Sequence, residues 1–266
     1  MFESRNNQVI LVTGAAKRIG SAITNVFHSR NFKVIIHYNK SAAEANRLCD
    51  TLNEKRSESA WLVQGDLNEP ASIERIINLL ESIGRLDVLV NNASSFYPTE
   101  LENVDESAWN DLINSNLKGP FFLSKKLAPL LKRNRGSIVN ISDMHARQAL
   151  KKHSIYTIAK AGNIAMTKSL ALELAPEVRV NSVAPGAILW PAHEQDDIAK
   201  HKKILSSIPI GRLGSESDIA ETTFFLSNIV FINPSDSPKA IALPFPINGN
   251  LPTLISYFSS KAFFSV

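Results

Sequence analysis

Cysteine is nearly absent: Cys49 stands alone among 266 residues, which excludes an internal disulfide framework and a cysteine-rich zinc site and suits a reducing compartment. Long apolar runs are missing too, and none reaches the roughly 18 residues that a membrane-spanning helix needs. The first residues, MFESRNNQ, are polar and pass straight into VILVT, without the charged, apolar and small-residue succession of a secretory signal. These absences point to a cytoplasmic protein with no membrane partner. Charge of one sign is scarce: the formal net charge is only +4, and Lys and Arg are scattered rather than gathered in a stripe interleaved with aromatics, so nucleic acid is not an expected partner. Glycine is sparing as well, with 11 in the chain. In the segment LVTGAAKRIG only Gly14 and Gly20 remain where a nucleotide-binding turn carries three glycines, and Arg18 takes the middle place.

What the chain does have is alternation. Short β-branched runs (QVILVT, FKVIIHY, SAWLVQGDL, DVLVNNA, SIVNIS, VRVNSVAPG) alternate with helix-length segments. Such alternation calls for a doubly wound parallel sheet with helices on both faces, an α/β fold built as a single domain over residues 1–266. The spacing of Ile73, Ile76, Ile77 and Leu80 marks the core face of one helix. The last part of the chain breaks the pattern. From Ile229 onward it has few charges and prolines at 234, 238, 244, 246 and 252, which would interrupt any central strand or helix. No regular element is expected in this 229–266 tail, and the sheet would be left with an unprotected edge.

In a strand, turn, helix context, Gly14 lets the chain turn off the first strand and Gly20 lets the helix start pack closely. The helix N-terminus then offers N–H groups to a pyrophosphate. After the second strand, where an acid would hold the ribose hydroxyls of NAD, come Asn39, Lys40 and Ser41. A cation and neutral donors suit a 2′-phosphate, and Lys17 and Arg18 add charge, so NADPH is the expected cofactor. Lys40 is otherwise a solvated surface lysine. Asp66 is placed either to meet the adenine edge or to cap the next helix.

Farther on, YTIAK puts Tyr156 and Lys160 four apart, on one helix face. A nearby ammonium stabilises the ionised form of a phenol, whose ordinary pKa is about 10, and so moves it toward a useful value. Asp143, in NISD, sits 13 residues before Tyr156, at the end of a strand; it can converge with Tyr156 on a substrate atom or serve as a turn cap.

With these motifs in hand, the chain resembles the short-chain dehydrogenase/reductase family, with its Rossmann-like fold, over roughly residues 8 to 226. The resemblance rests on TGAAKRIG, Asp66-Leu67, NNA at 91–93, Asn116, Tyr156 with Lys160, and Pro185-Gly186. Arg18 for the middle glycine, Asp143 for the usual serine, and the runs HYNKSAAEAN and NNASSFYPT resemble the pteridine reductases within it. The resemblance implies that Tyr156 gives a proton to a pterin ring, Lys160 holds the nicotinamide ribose, Asp143 replenishes the tyrosine's proton and Asn116 positions Lys160 through a water. Phe96 would stack on the pterin, and Ser94 and Arg18 would contact pterin and cofactor. It extends the cofactor set to Ile19, His37, Tyr38, Asn92, Ala93, Pro185 and Gly186, and implies a homotetramer, which the altered tail opposes. The substrate would be a dihydropterin, with oxidised pterins and dihydrofolate as further acceptors. A lid over Ala187–Lys203 would carry Trp190, His193 and His201. A 3-oxoacyl thioester reductase of the same fold and a non-catalytic NADPH-binding regulator are the rival readings. No metal is expected.

Overall fold

A computed structural model describes residues 7–188, positions 202, 205, 206 and 208, residues 210–228 and the backbone of 254–256. Six strands run parallel: β1 (Val9–Val12), β2 (Lys33–Tyr38), β3 (Ala60–Gln64), β4 (Val88–Asn91), β5 (Ser137–Ile141) and β6 (Arg179–Ala184). Every residue of β1, β4 and β5 is buried, as continuous apolar strands covered on both faces must be. The helices are α1 (Arg18–Ser29), α2 (Ala42–Lys55), α3 (Pro70–Ile83), α4 (Glu106–Ile113), α5 (Gly119–Arg133), α6 (Ser154–Glu173) and α7 (Glu216–Asn228). Local chemistry sets their ends. Pro70 opens α3 and Gly84, at φ 77°, closes it, and the Asp105 carboxylate caps α4 by accepting from the Ala108 N–H. Ile73, Ile76, Ile77 and Leu80 are all buried, as their spacing predicts.

Strand order is β3-β2-β1-β4-β5-β6, and a short seventh strand, β7 (Leu254–Ser256), adds antiparallel to Ser182–Ala184 of β6. This corrects the expectation of a bare edge. Three residues beyond Pro252 suffice to pair, and so short an element leaves no periodic signal in the sequence. The topology reverses between β1 and β4, which opens the ligand crevice of a doubly wound sheet above the carboxyl ends of those strands. One apolar cluster, including Phe27, Phe32 and Phe224, packs α1, α2 and α7 on one face; another, including Leu80, Leu89 and Leu131, packs α3, α5 and α6 on the other.

The loop from β1 to α1 is held from behind. Gly14 adopts φ +61°, and a Cβ there would lie 2.9 Å from Ala93 Cα. A Cβ on Gly20 would lie 2.2 Å from the Gly14 carbonyl, so neither position admits a side chain. Arg18 also takes the left-handed region, at φ 50°, at a cost of about 1–2 kcal/mol for a residue with a Cβ. His37, at the end of β2, is 2% exposed. Its Nδ1 accepts the Gly14 N–H at 3.2 Å and its Nε2 faces the Gly65 carbonyl at 3.0 Å, which assigns the proton to Nε2.

Burial pushes the His37 pKa down from 6.5 to about 4, against the opposing pull of the Gly65 carbonyl and Asp66. The unfolded chain therefore takes up a proton at this residue before the folded chain does. Stability is complete above about pH 6.5 and falls as the pH drops toward 4, by up to about 3 kcal/mol. Denaturant unfolding across this range should show that slope, and His37→Gln should flatten it; an unchanged slope would place the titration elsewhere, with His28, also lowered by burial, the first alternative.

Candidate active site

Strand β5 ends at Ile141, and Asp143 then caps a single 3-10 turn, Met144–Ala146, its Oδ1 accepting the His145 N–H at 2.8 Å. Its other oxygen accepts the Tyr156 hydroxyl at 2.7 Å. Cap and site ligand are thus both realised, one on each oxygen. Tyr156 and Lys160 share a face of α6, as their spacing predicts, and both are buried. Lys160 Nζ donates to the Ile141 carbonyl at 3.0 Å and lies 5.6 Å from the centre of the Tyr156 ring. The expected depression of the tyrosine pKa is not what this arrangement produces. Burial first, and then the charge and hydrogen bond of Asp143, push the phenol well above its ordinary range. Lys160 is pushed down to about 8 by burial, opposed by Asp143. The neighbouring Ser142 is buried and donates to the Lys160 carbonyl at 3.3 Å, so its hydroxyl is engaged behind the site.

Asn116 lies in a π-helical turn, Asn114–Lys118, joining α4 to α5, the kind of helix irregularity found at functional positions. Its Nδ2 donates to the carbonyls of Ser95 and Leu112 at 2.9 and 3.0 Å. Its Oδ1 is buried with no hydrogen-bond partner among the described residues, and a polar atom so placed calls for a water or ligand donor.

After β4 the chain runs irregularly through residues 92–98. Phe96, 53% exposed, meets the Tyr156 ring in a T-shaped contact with ring centres 4.8 Å apart. Ser94 is exposed beside it on the same segment. One face of Phe96 is stacked on His153, at 4.8 Å and 15°. Sequence reasoning passed over His153, although it stands three residues before Tyr156, where a helix brings side chains to one face.

On the cofactor side, α1 begins at Arg18 with no side-chain cap and no acidic residue in its first turn, which leaves its first N–H groups open to an anion. The crevice therefore fits a dinucleotide. Asn92 Nδ2 donates to the Thr13 and Gly14 carbonyls, and His37 spends both ring nitrogens on the protein, so these two shape the loop from within. Ile19 is half-buried at the start of α1, and Tyr38 half-buried at the end of β2. Asn39 and Lys40 are exposed beyond them, and Ser41 begins α2. Lys17 lies 3.0 Å from Glu44, which answers part of its charge. Neither Arg18 nor Lys40 joins an ion pair among the described residues. Asp66, half-buried, accepts the Asn68 N–H at 2.9 Å, a turn contact rather than a cap of α3. Leu67 is buried. Pro185 accepts the Met144 N–H at 3.1 Å, which ties the Pro185-Gly186 step to the Asp143 turn. Trp190, His193, His201 and most of the tail lie outside the described residues.

Comparison with known proteins agrees with this geometry. The short chain dehydrogenase family pattern matches residues 8–200. Pteridine reductase 1 of Leishmania tarentolae is 36% identical, covering 85% of this chain and 92% of its own. A 3-oxoacyl-acyl-carrier-protein reductase of Staphylococcus aureus is 33% identical, covering 82% and 89%. An oxidoreductase of Bacillus subtilis is 30% identical, covering 83% and 91%. The chain belongs to the short-chain dehydrogenase family of oxidoreductases, which work with a nicotinamide cofactor.

Proposed function

We propose that the protein is an NADPH-dependent pteridine reductase that converts a dihydropterin to its tetrahydro form. The observation that carries this reading is the 2.7 Å hydrogen bond from the Tyr156 hydroxyl to the Asp143 carboxylate. A phenol held protonated by burial and a carboxylate is a loaded proton donor. Asp143 stands where, after taking a proton from solvent, it can pass that proton to the Tyr156 phenolate once the first has gone. A pterin offers ring nitrogens to be protonated, so a second proton source serves it better than a further hydroxyl. The rival reading, suggested by the name of the Staphylococcus aureus relative, is a 3-oxoacyl thioester reductase. A carbonyl oxygen is served by a serine hydroxyl, and Ser142, beside Asp143, is buried and bonded to the Lys160 backbone.

When bound, the reduced nicotinamide supplies the hydride. The protein's share is to orient and to move protons. Phe96 stacks on the flat substrate ring, Ser94 and Arg18 hold its polar edge, and Tyr156 protonates it. Lys160 holds the nicotinamide ribose and steadies the phenolate left on Tyr156. The buried Oδ1 of Asn116 receives a water that reaches Lys160. Arg18 and Lys40 favour NADPH, since neither cation is answered by a carboxylate among the described residues.

The decisive assay follows the loss of reduced-nicotinamide absorbance with 7,8-dihydrobiopterin in parallel with acetoacetyl thioester. Pterin-dependent oxidation is expected, and activity with the thioester alone would reject the proposal. Tyr156→Phe should lower kcat by about 100-fold or more while leaving NADPH affinity intact; full turnover in this variant would remove Tyr156 as the acid.

Cofactor preference has its own tests. Lys40→Glu should weaken NADPH relative to NADH by about tenfold, and an unaltered ratio would take Lys40 out of the phosphate site. Arg18→Gly relieves left-handed strain, so the unfolding midpoint should not drop, yet the NADPH dissociation constant should rise several-fold. A lower midpoint with unchanged affinity would make Arg18 a structural residue only.

A further inference from the structure

We infer that His153 is a positioning residue that sets the plane of Phe96 and thereby aligns a flat heteroaromatic substrate over Tyr156, an inference that rests on the pterin reading above. Phe96 sits in the irregular stretch after β4, where no ladder or helix fixes its backbone. Its ring is held by two contacts: a T-shaped one with Tyr156 and a stacked one with His153, in which the Phe96 and His153 planes differ by only 15°. With one face so covered, the ring is still half-exposed, which leaves surface for a flat ligand.

His153 is itself anchored. Its Nδ1 lies 2.9 Å from the Lys151 carbonyl, which turns the imidazole into one orientation with Nδ1 as the donor. The turn that carries it is sewn to the Phe96 segment. Thr99 and His153 form a parallel bridge, the Thr99 N–H donates to the Lys152 carbonyl, and Lys152 pairs with Glu100. His153 immediately precedes α6 and stands three residues before Tyr156, so about one helical turn separates the residue that orients the stacking ring from the one that delivers the proton. An aliphatic side chain at this place would fill space without imposing a plane, because parallel stacking is a property of two rings.

Steady-state kinetics with 7,8-dihydrobiopterin at saturating NADPH, on His153→Ala, His153→Leu and His153→Phe, test this, with NADPH binding measured by fluorescence to certify each fold. An offset-stacked pair corresponds to about a twofold to tenfold effect. His153→Ala and His153→Leu should raise KM for the pterin by that factor with a smaller change in kcat, and His153→Phe should restore it. NADPH affinity should stay at the wild-type value in all three. Equal KM in all variants, a fall in KM for His153→Ala, or rescue by Leu as good as by Phe would each overturn the inference. A fall would mean that the imidazole occupies the face the substrate needs. A wild-type protein that turns over the thioester and no pterin overturns the pterin reading and this inference with it, whereas pterin turnover with indistinguishable variants overturns this inference alone.

Discussion

At the centre of the sheet, where the topology turns back on itself, the Thr13 hydroxyl joins the ends of β1 and β4. It donates to the Val90 carbonyl and accepts the N–H groups of both Asn92 and Ala93, at 2.9 and 3.0 Å. Asn92 returns the clasp by donating to the carbonyls of Thr13 and Gly14. Thr13 is fully buried, so its hydroxyl uses every bonding position it has, and an apolar residue of its shape would strand two backbone donors at a cost of about 1–3 kcal/mol each. The glycine loop starts one residue after Thr13, and the irregular segment that carries Phe96 follows Asn92. Because both hang from one clasp, they cannot shift independently, and the distance across the crevice is a property of the sheet rather than of either loop.

A second polar system runs beneath the site. Asn91 donates to Asn140 and Ser124, Asn140 to Thr167, and Asn163, one turn before Thr167 on α6, to the Asn116 carbonyl. All of these residues are buried. The chain fixes the π-helical turn against α6 through its donors, while Asn91, Asn163 and Asn116 each keep a buried side-chain oxygen with no partner among the described residues. Lys160 draws on the same economy: burial lowers it to about 8, still charged at neutral pH, because the Ile141 carbonyl and the Asp143 carboxylate compensate its lost hydration.

The strands, the helix faces and the Tyr156–Lys160 pairing were readable from the chain because each is a matter of local spacing. The Asp143–Tyr156 contact was readable for a similar reason, since one residue ends a strand and the other begins the next helix. What spacing could not give is whatever depends on tertiary surroundings. The direction of the Tyr156 shift turns first on its burial and then on the Asp143 carboxylate, and the role of His37 turns on a loop folding back over β2. His153 was hidden because its partner, Phe96, comes from a segment 57 positions earlier in the sequence. The strand Leu254–Ser256 was missed because three residues beside β6 need no pattern of their own.

Arg18 resolves the question its loop poses. A turn of this shape asks for a left-handed residue at that position, and glycine would take it without cost, yet the chain keeps the φ of 50° with an arginine. Strain retained at a surface position contributes nothing to packing, and Arg18 is exposed, with no ion pair among the described residues. Arg18 is the first residue of α1, where the helix N-terminus already favours anions. The loop is therefore a turn that keeps its left-handed geometry with a cation in place of glycine, and under the proposed function the strain is retained where cofactor and substrate would meet.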